Sequence, residues 1–305
     1  MSAGQQVERP QHAPSHRLVW LFGAGASRET HDAMVASGAQ VLIQDLEDFT
    51  PPALRPQARA MTPGLIRAAG AAGAMVCVRI NLLDQEGLVD LEAVMPHAPS
   101  VIAYPKAERA VDMAALSEHI TRLERLHGIP VGHTEILPVC ETALGVVEVR
   151  SLAAATPRVR AALLGTEDLA TDLQAERGPD AVELDHARRR FLLECRAARI
   201  EPVDAPYTFS DVEGAVAEAR YSRRLGYQTK SLVNPAMVSA VQAALAPSNA
   251  DTALAQETVE LFEQARARGE DRALVRGLWV EVPTYLNARR LLERARGLQS
   301  RECVR

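Results

Sequence analysis

Ile136-Leu-Pro-Val-Cys-Glu141 and Ala161-Ala-Leu-Leu-Gly-Thr-Glu-Asp168 decide the fold. Each is a short apolar run with an acidic residue at its end or just past it. Runs of this length have the size of a buried strand rather than of a helix. Strands ending in carboxylates, with helical segments between them, suggest a parallel barrel carrying acids on its C-terminal rim, where barrel enzymes place their chemistry. Two hard oxygen donors on separate strands, Glu141 and Asp168, suit Mg²⁺ or Mn²⁺. Mg²⁺ usually takes one or two carboxylates and keeps its other positions for water and substrate. The competing reading makes both residues helix N-terminal acids that offset a macrodipole.

The same alternation extends on both sides. Strands are expected at Leu18–Phe22, Gln40–Asp45, Met75–Ile80, Val101–Tyr104, Ile136–Cys140, Ala161–Leu164, Arg199–Val203 and Tyr227–Val233. Helical spacing falls between them, near 55–72, 110–126, 181–199, 211–225 and 235–245. Ser27 is placed to cap the first helix, with Glu29 in its first turn. Eight strands each followed by helical material predict a TIM (β/α)8 barrel over 17–245. An open doubly wound sheet alternates in the same way, so periodicity leaves closure undecided. Pro247-Ser-Asn249 marks a joint. Beyond it, 246–305 reads as a C-terminal helical lid: a charged helix, a turn at Gly269, the apolar segment Leu278-Trp-Val280 and a last helix from Pro283. Residues 1–16 read as a flexible tail.

The 305 residues suffice for one large domain or a domain with an appendage. Aromatics are only 4%, so the core must be built mainly of Ala, Val, Leu and Ile. A net charge of −5 argues against a general nucleic-acid surface. No apolar run reaches the roughly 20 residues that a membrane helix needs, and the start lacks a signal-peptide core. The cysteines Cys77, Cys140, Cys195 and Cys303 form no CxxC pair, which disfavours zinc and disulfides and makes a reducing cytoplasm the default.

Other residues invite chemistry. Arg79 lies inside an apolar strand and needs an anionic partner, because an unpaired buried charge is very costly. Its planar fork suits a substrate carboxylate; a structural ion pair with Asp45 or Glu47 is the other reading. Asp45, Glu47 and Asp48 crowd the end of the second strand and repel one another unless a cation, an arginine or a proton intervenes. Lys106, after Pro105, is a candidate for an anion contact or a rim salt bridge. Gly23-Ala-Gly25 could let a ligand approach the backbone, but the stretch lacks the third glycine of a dinucleotide fingerprint. The sequence holds no GxSxG, HExxH or Walker motif.

In this order, six segments resemble the citrate lyase beta-subunit-like proteins of the HpcH/HpaI aldolase superfamily. They are Leu42-Ile-Gln-Asp-Leu-Glu-Asp48, Val78-Arg-Ile-Asn81, Tyr104-Pro-Lys106, Glu141-Thr-Ala-Leu-Gly145, Gly165-Thr-Glu-Asp-Leu169 and Val280-Glu-Val-Pro283. The resemblance spans nearly everything after the tail. It implies a TIM barrel with a C-terminal lid, assembled as a homotrimer or hexamer, and a divalent metal, normally Mg²⁺, on Glu141 and Asp168. It implies that Arg79 binds an oxo-acid carboxylate and that Asp45, Glu47 and Asp48 hold metal-bound waters. Glu281 stands where many relatives carry a lid aspartate that handles a proton at the substrate carbon.

The implied reaction is cleavage of a carbon–carbon bond in a hydroxy-acyl-CoA of the citryl-, malyl- or citramalyl-CoA type, giving an oxo-acid and acetyl-CoA. A free hydroxy acid, a malyl-CoA-type thioesterase and a non-catalytic oxo-acid binder are the alternatives. Relatives acting on CoA thioesters often carry a Pro-Gly turn, then a basic residue and a lysine four positions on. Here the turn is Ala24-Gly25 and those positions are Glu29 and Ala33, with Arg28 a partial substitute. Asn234-Pro235 stands where many relatives have His-Pro.

Overall fold

The computed structural model describes residues 16–302, so most of the expected tail lies outside the described residues. Eight parallel strands close into a barrel in sequence order: β1 (Val19–Ala24), β2 (Val41–Asp45), β3 (Met75–Arg79), β4 (Val101–Tyr104), β5 (Glu135–Cys140), β6 (Ala161–Leu164), β7 (Glu201–Tyr207) and β8 (Thr229–Leu232). The pairing of β1 with β8 resolves what periodicity left open. The helices are α1 (Arg28–Ala36), α2 (Arg55–Ala71), α3 (Leu88–Val94), α4 (Ala110–Leu126), α5 (Ala143–Val147), α6 (Val149–Ala154), α7 (Glu167–Asp172), α8 (Asp185–Ala197), α9 (Val212–Leu225) and α10 (Val238–Leu245). As expected, Ser27 caps α1 by accepting from the Thr30 N–H.

Alternation along the strands sorts the side chains. Trp20, Phe22, Val41, Ile43, Met75, Cys77, Val101, Ala103, Leu137, Val139, Ala161, Leu163 and Val203 form one buried cluster, which fills the barrel interior. The N-terminal mouth is closed by charge. Buried Arg17 donates to both oxygens of Glu135 at 2.6 and 2.9 Å, its guanidinium lies over Trp20, and Arg160 reaches Glu135 at 2.9 Å.

Two expected elements differ. β7 runs from Glu201 to Tyr207 rather than 199–203: Arg199 takes a left-handed φ of 59° after α8, and the strand proper carries Pro202, Asp204 and Pro206. The helix expected over 181–199 divides into a 3₁₀ turn, Val182–Leu184, and α8. Short α3, α5, α6 and α7 fall outside the ranges expected to be helical, although the helix N-terminal reading of Glu141 and Asp168 implied helices at α5 and α7.

The outer face of β7 and β8 is ionic. Asp204 pairs in register with Lys230, and both are fully buried. Lys230 Nζ donates to Asp204 (2.9 Å) and to Glu218 of α9 (2.6 Å), while Arg188 of α8 grips both Asp204 oxygens at 2.5 and 2.6 Å. Burial opposes ionisation of Asp204, but Arg188 and Lys230 outweigh it and hold the carboxyl well below its usual range.

The chain divides into two compact units between Gln242 and Ala243, inside α10, close to the expected 245/246 boundary. The second unit is not purely helical. α11 (Asn249–Ala267) begins with a capping box on Ser248. An antiparallel hairpin, β9 (Ala273–Val275) and β10 (Leu278–Val280), follows, and α12 (Val282–Glu302) ends the described chain. Arg276 and Gly277, both at positive φ, turn the hairpin. The expected apolar segment at 278–280 is therefore a strand, of which Val280 packs with Phe262, Ala265 and Val275 in the unit's own core while Leu278 and Trp279 are exposed.

Candidate active site

Register builds the site from the C-terminal rim. Asp45 of β2 is the partner of Arg79 on β3, so the two side chains emerge side by side. Buried Arg79 forms ion pairs with Asp45 and with Glu47 Oε2, the latter at 3.0 Å. The rings of Phe22 and Phe49 flank the guanidinium, with centroids 5.3 and 5.6 Å from its carbon. Burial works against the charge, yet Asp45 and Glu47 outweigh it and raise the pKa further. The structure thus contains the ion pair that the sequence offered as one alternative. Two acids occupy part of a five-donor fork, which leaves N–H groups for a ligand. Asp45 also shapes the turn that carries the other acids, accepting from the N–H groups of Glu47 (2.7 Å) and Phe49 (3.3 Å).

Lys106, just after β4, draws the rest together. Its backbone N–H donates to Glu141 Oε1 at 2.9 Å. Its ammonium donates to Glu47 Oε1 at 2.7 Å and lies 3.8 Å from both Asp48 Oδ2 and Asp168 Oδ2. Asp48, Glu47, Glu141 and Asp168, from the ends of three different strands, therefore meet around one residue. Burial pushes the Glu47 carboxyl up, against the pull of Arg79 and Lys106.

Glu141 is buried, and burial pushes its carboxyl up to about 7; Arg79 and Lys106 oppose this, and Asp168 adds to it. Gly165 makes room for it. A Cβ there would lie 2.6 Å from Glu141 Cβ and 2.7 Å from Oε2. Asp168 sits in the first turn of α7, with its side chain 40% exposed. Its position thus fits the helix N-terminal reading as well as the ligand one. A buried carboxylate under-compensated by its neighbours, next to a second carboxylate open to the mouth, is a donor set that fits a hard cation. Among the described residues no three His, Cys, Asp or Glu side chains form a ready-made metal cage. The chemistry matches an ion that keeps several waters rather than one enclosed by protein.

The other expected residues are placed differently. The Gly25 N–H donates to the Asp45 carbonyl (3.0 Å) and to Thr50 Oγ1 (2.9 Å), and a Cβ on Gly25 would sit 2.5 Å from that carbonyl. The glycine is therefore required by the chain's own packing, and its donor is not available to a ligand. Arg28 is exposed and pairs with Asp32 one turn on. Glu281, in the C-terminal unit, is exposed, and its carbonyl accepts from the Tyr285 N–H. Cys140 is buried and its thiol pushed up by that burial, as suits a packing residue. Sequence reasoning missed Phe22, Phe49 and Gly165. Only Gly165 left a signal, a glycine at a strand end where a close approach is expected.

Fold and site together define a β/α-barrel protein whose C-terminal mouth gathers carboxylates around an arginine and a lysine. The pattern of the HpcH/HpaI aldolase/citrate lyase family matches residues 18–235. The chain belongs to that family. It is 34% identical to the citrate lyase subunit beta of Leuconostoc mesenteroides subsp. cremoris, over 85% of this chain and 86% of that protein. It is 30% identical to a (3S)-malyl-CoA thioesterase of Cereibacter sphaeroides, over 91% of this chain and 94% of the relative. Among solved structures it resembles protein CitE from Mycobacterium tuberculosis in complex with magnesium, acetoacetate and coenzyme A. There the TM-score is 0.72 and the identity 28%, covering 91% of this chain and 97% of the other.

Proposed function

We propose that this chain is a Mg²⁺-dependent carbon–carbon lyase that cleaves a hydroxy-acyl-CoA of the citryl-, malyl- or citramalyl-CoA type to an oxo-acid and acetyl-CoA. The observation that carries the reading is the meeting of Glu141 and Asp168 at Lys106, next to Arg79, in a member of this family. Glu141 and Asp168 would hold the metal, with Asp45, Glu47 and Asp48 ordering its waters. The metal, when bound, would supply Lewis acidity toward the oxygen that becomes the oxo-acid carbonyl.

The remaining work falls to side chains. Arg79 orients the oxo-acid through its carboxylate, its guanidinium flanked by the rings of Phe22 and Phe49. Glu47 receives the hydroxyl proton as that oxygen becomes a carbonyl. The electrons of the broken carbon–carbon bond pass into the thioester enolate, whose carbon takes a proton from a carboxylic acid, the role that the family resemblance gives to Glu281. A screen of free hydroxy acids against their CoA thioesters, with and without Mg²⁺, tests the reading. We expect metal-dependent release of oxo-acid and acetyl-CoA from a thioester. Glu141→Ala and Asp168→Ala should abolish it in a folded protein, and Mg²⁺ affinity retained in both would overturn the ligand assignment.

Two observations favour neighbouring reactions. Glu29 and Ala33 at the usual basic positions support a free hydroxy acid as substrate, and failure of CoA to compete would select it. The identity with the malyl-CoA thioesterase supports hydrolysis. Recovery of free thiol with an intact acid skeleton would select that.

A further inference from the structure

We infer that Lys106 sets the balance between metal and oxo-acid in this site: its ammonium weakens binding of the divalent cation and strengthens binding of the anionic oxo-acid that follows. The inference rests on the functional reading above and goes beyond it in giving Lys106 a regulatory place between two ligands. Five carboxylates, those of Asp45, Glu47, Asp48, Glu141 and Asp168, face two cationic side chains. Arg79 is buried against Asp45 and Glu47, whereas the Lys106 side chain is 35% exposed and faces the acids nearest the mouth.

The backbone shows that the side chain matters. Lys106 has φ 46°, a left-handed conformation that glycine adopts freely and other residues rarely do. That turn aims its N–H at Glu141. Glycine would make the same hydrogen bond without strain, so the position answers to a demand for the ammonium as well as for the turn.

The electrostatics then run in opposite directions for the two ligands. An ammonium 3.8 Å from Asp168 and bonded to Glu47 competes for the carboxylates a divalent ion needs, and it repels that ion directly. Once the ion is in place, the site remains acidic, and an anionic oxo-acid must enter against that charge. The same ammonium then attracts it. At separations of a few ångströms, each effect is on the order of tenfold in affinity even with strong solvent screening.

Calorimetric titration with Mg²⁺ alone, then with oxaloacetate on the Mg²⁺-saturated protein, tests this on wild type, Lys106→Met and Lys106→Arg. We expect Lys106→Met to bind Mg²⁺ about tenfold more tightly and oxaloacetate about tenfold more weakly, with Lys106→Arg near wild type. Circular dichroism establishes that the variants fold. Unchanged or weaker Mg²⁺ binding by folded Lys106→Met overturns the inference, and so does tighter Mg²⁺ binding with unaltered oxaloacetate affinity. Glu141→Gln and Asp168→Asn separate the two levels of argument. If they weaken Mg²⁺ binding while Lys106→Met leaves it alone, only the role of Lys106 falls; if they too leave it alone, the metal reading falls with it.

Discussion

At the residue scale, Gly165 and Glu141 act as a pair. The space a Cβ would need at Gly165 is already filled by Glu141. Gly165→Ala must therefore displace the carboxylate. We expect Mg²⁺ affinity to fall about 10- to 100-fold, as for other residues that orient a ligand, with the barrel still folded. Unchanged affinity by calorimetry would show that Glu141 is not held by that contact. Glu141 also predicts a pH effect. Its carboxyl is pushed up to about 7 from 4.5 by burial, so the folded protein binds a proton that the unfolded chain has lost in that window. Its contribution to the stability of metal-free protein is present below pH 4.5 and lost as the pH rises through about 7. Binding of a cation needs the ionised form, so Mg²⁺ affinity should drop by about tenfold per pH unit well below 7. Melting curves of wild type and Glu141→Gln in a chelator, at pH 5.5 and 8, isolate the first effect; a difference between them that ignores pH would refute it. At this scale the acids and Arg79 were legible, because charges at the ends of apolar runs stand out. Phe22 and Phe49 were not, since a ring beside a guanidinium looks in sequence like any core residue.

At the scale of elements, the legible strands were the plain ones. β4 and β6 fall on the expected residues because each is a short apolar run buried on both faces. β7 was misplaced because its outward face is ionic: Asp204 sits where a helix-facing strand residue is usually aliphatic, and two prolines disguise the run. The pairing that makes this tolerable comes from residues far along the chain, Arg188, Glu218 and Lys230, which no local pattern reveals. Removing one partner leaves its counter-charge buried and uncompensated. Lys230→Met should therefore destabilise the protein by about 3–5 kcal/mol in denaturant unfolding. A loss below about 1 kcal/mol would mean that the cluster relaxes or admits water.

On the scale of the whole molecule, eight alternations predicted a barrel, but closure depends on a contact between the first strand and the last, which periodicity does not encode. The hairpin in the C-terminal unit was hidden for a related reason: three-residue strands are too short to show an alternation. No helix among the described residues is long and apolar enough to cross a membrane. The C-terminal unit exposes Leu274, Leu278, Trp279, Val282 and Leu286, an apolar surface of the kind that subunits cover. We expect three copies, or six, in light scattering of the full chain, and a monomer at micromolar concentration would overturn this.

The Arg17–Glu135–Arg160 cluster has a consequence for traffic. With the floor of the barrel sealed by ion pairs, the acids can be reached from one rim only. Under the proposed cleavage, both fragments would therefore leave by that same rim.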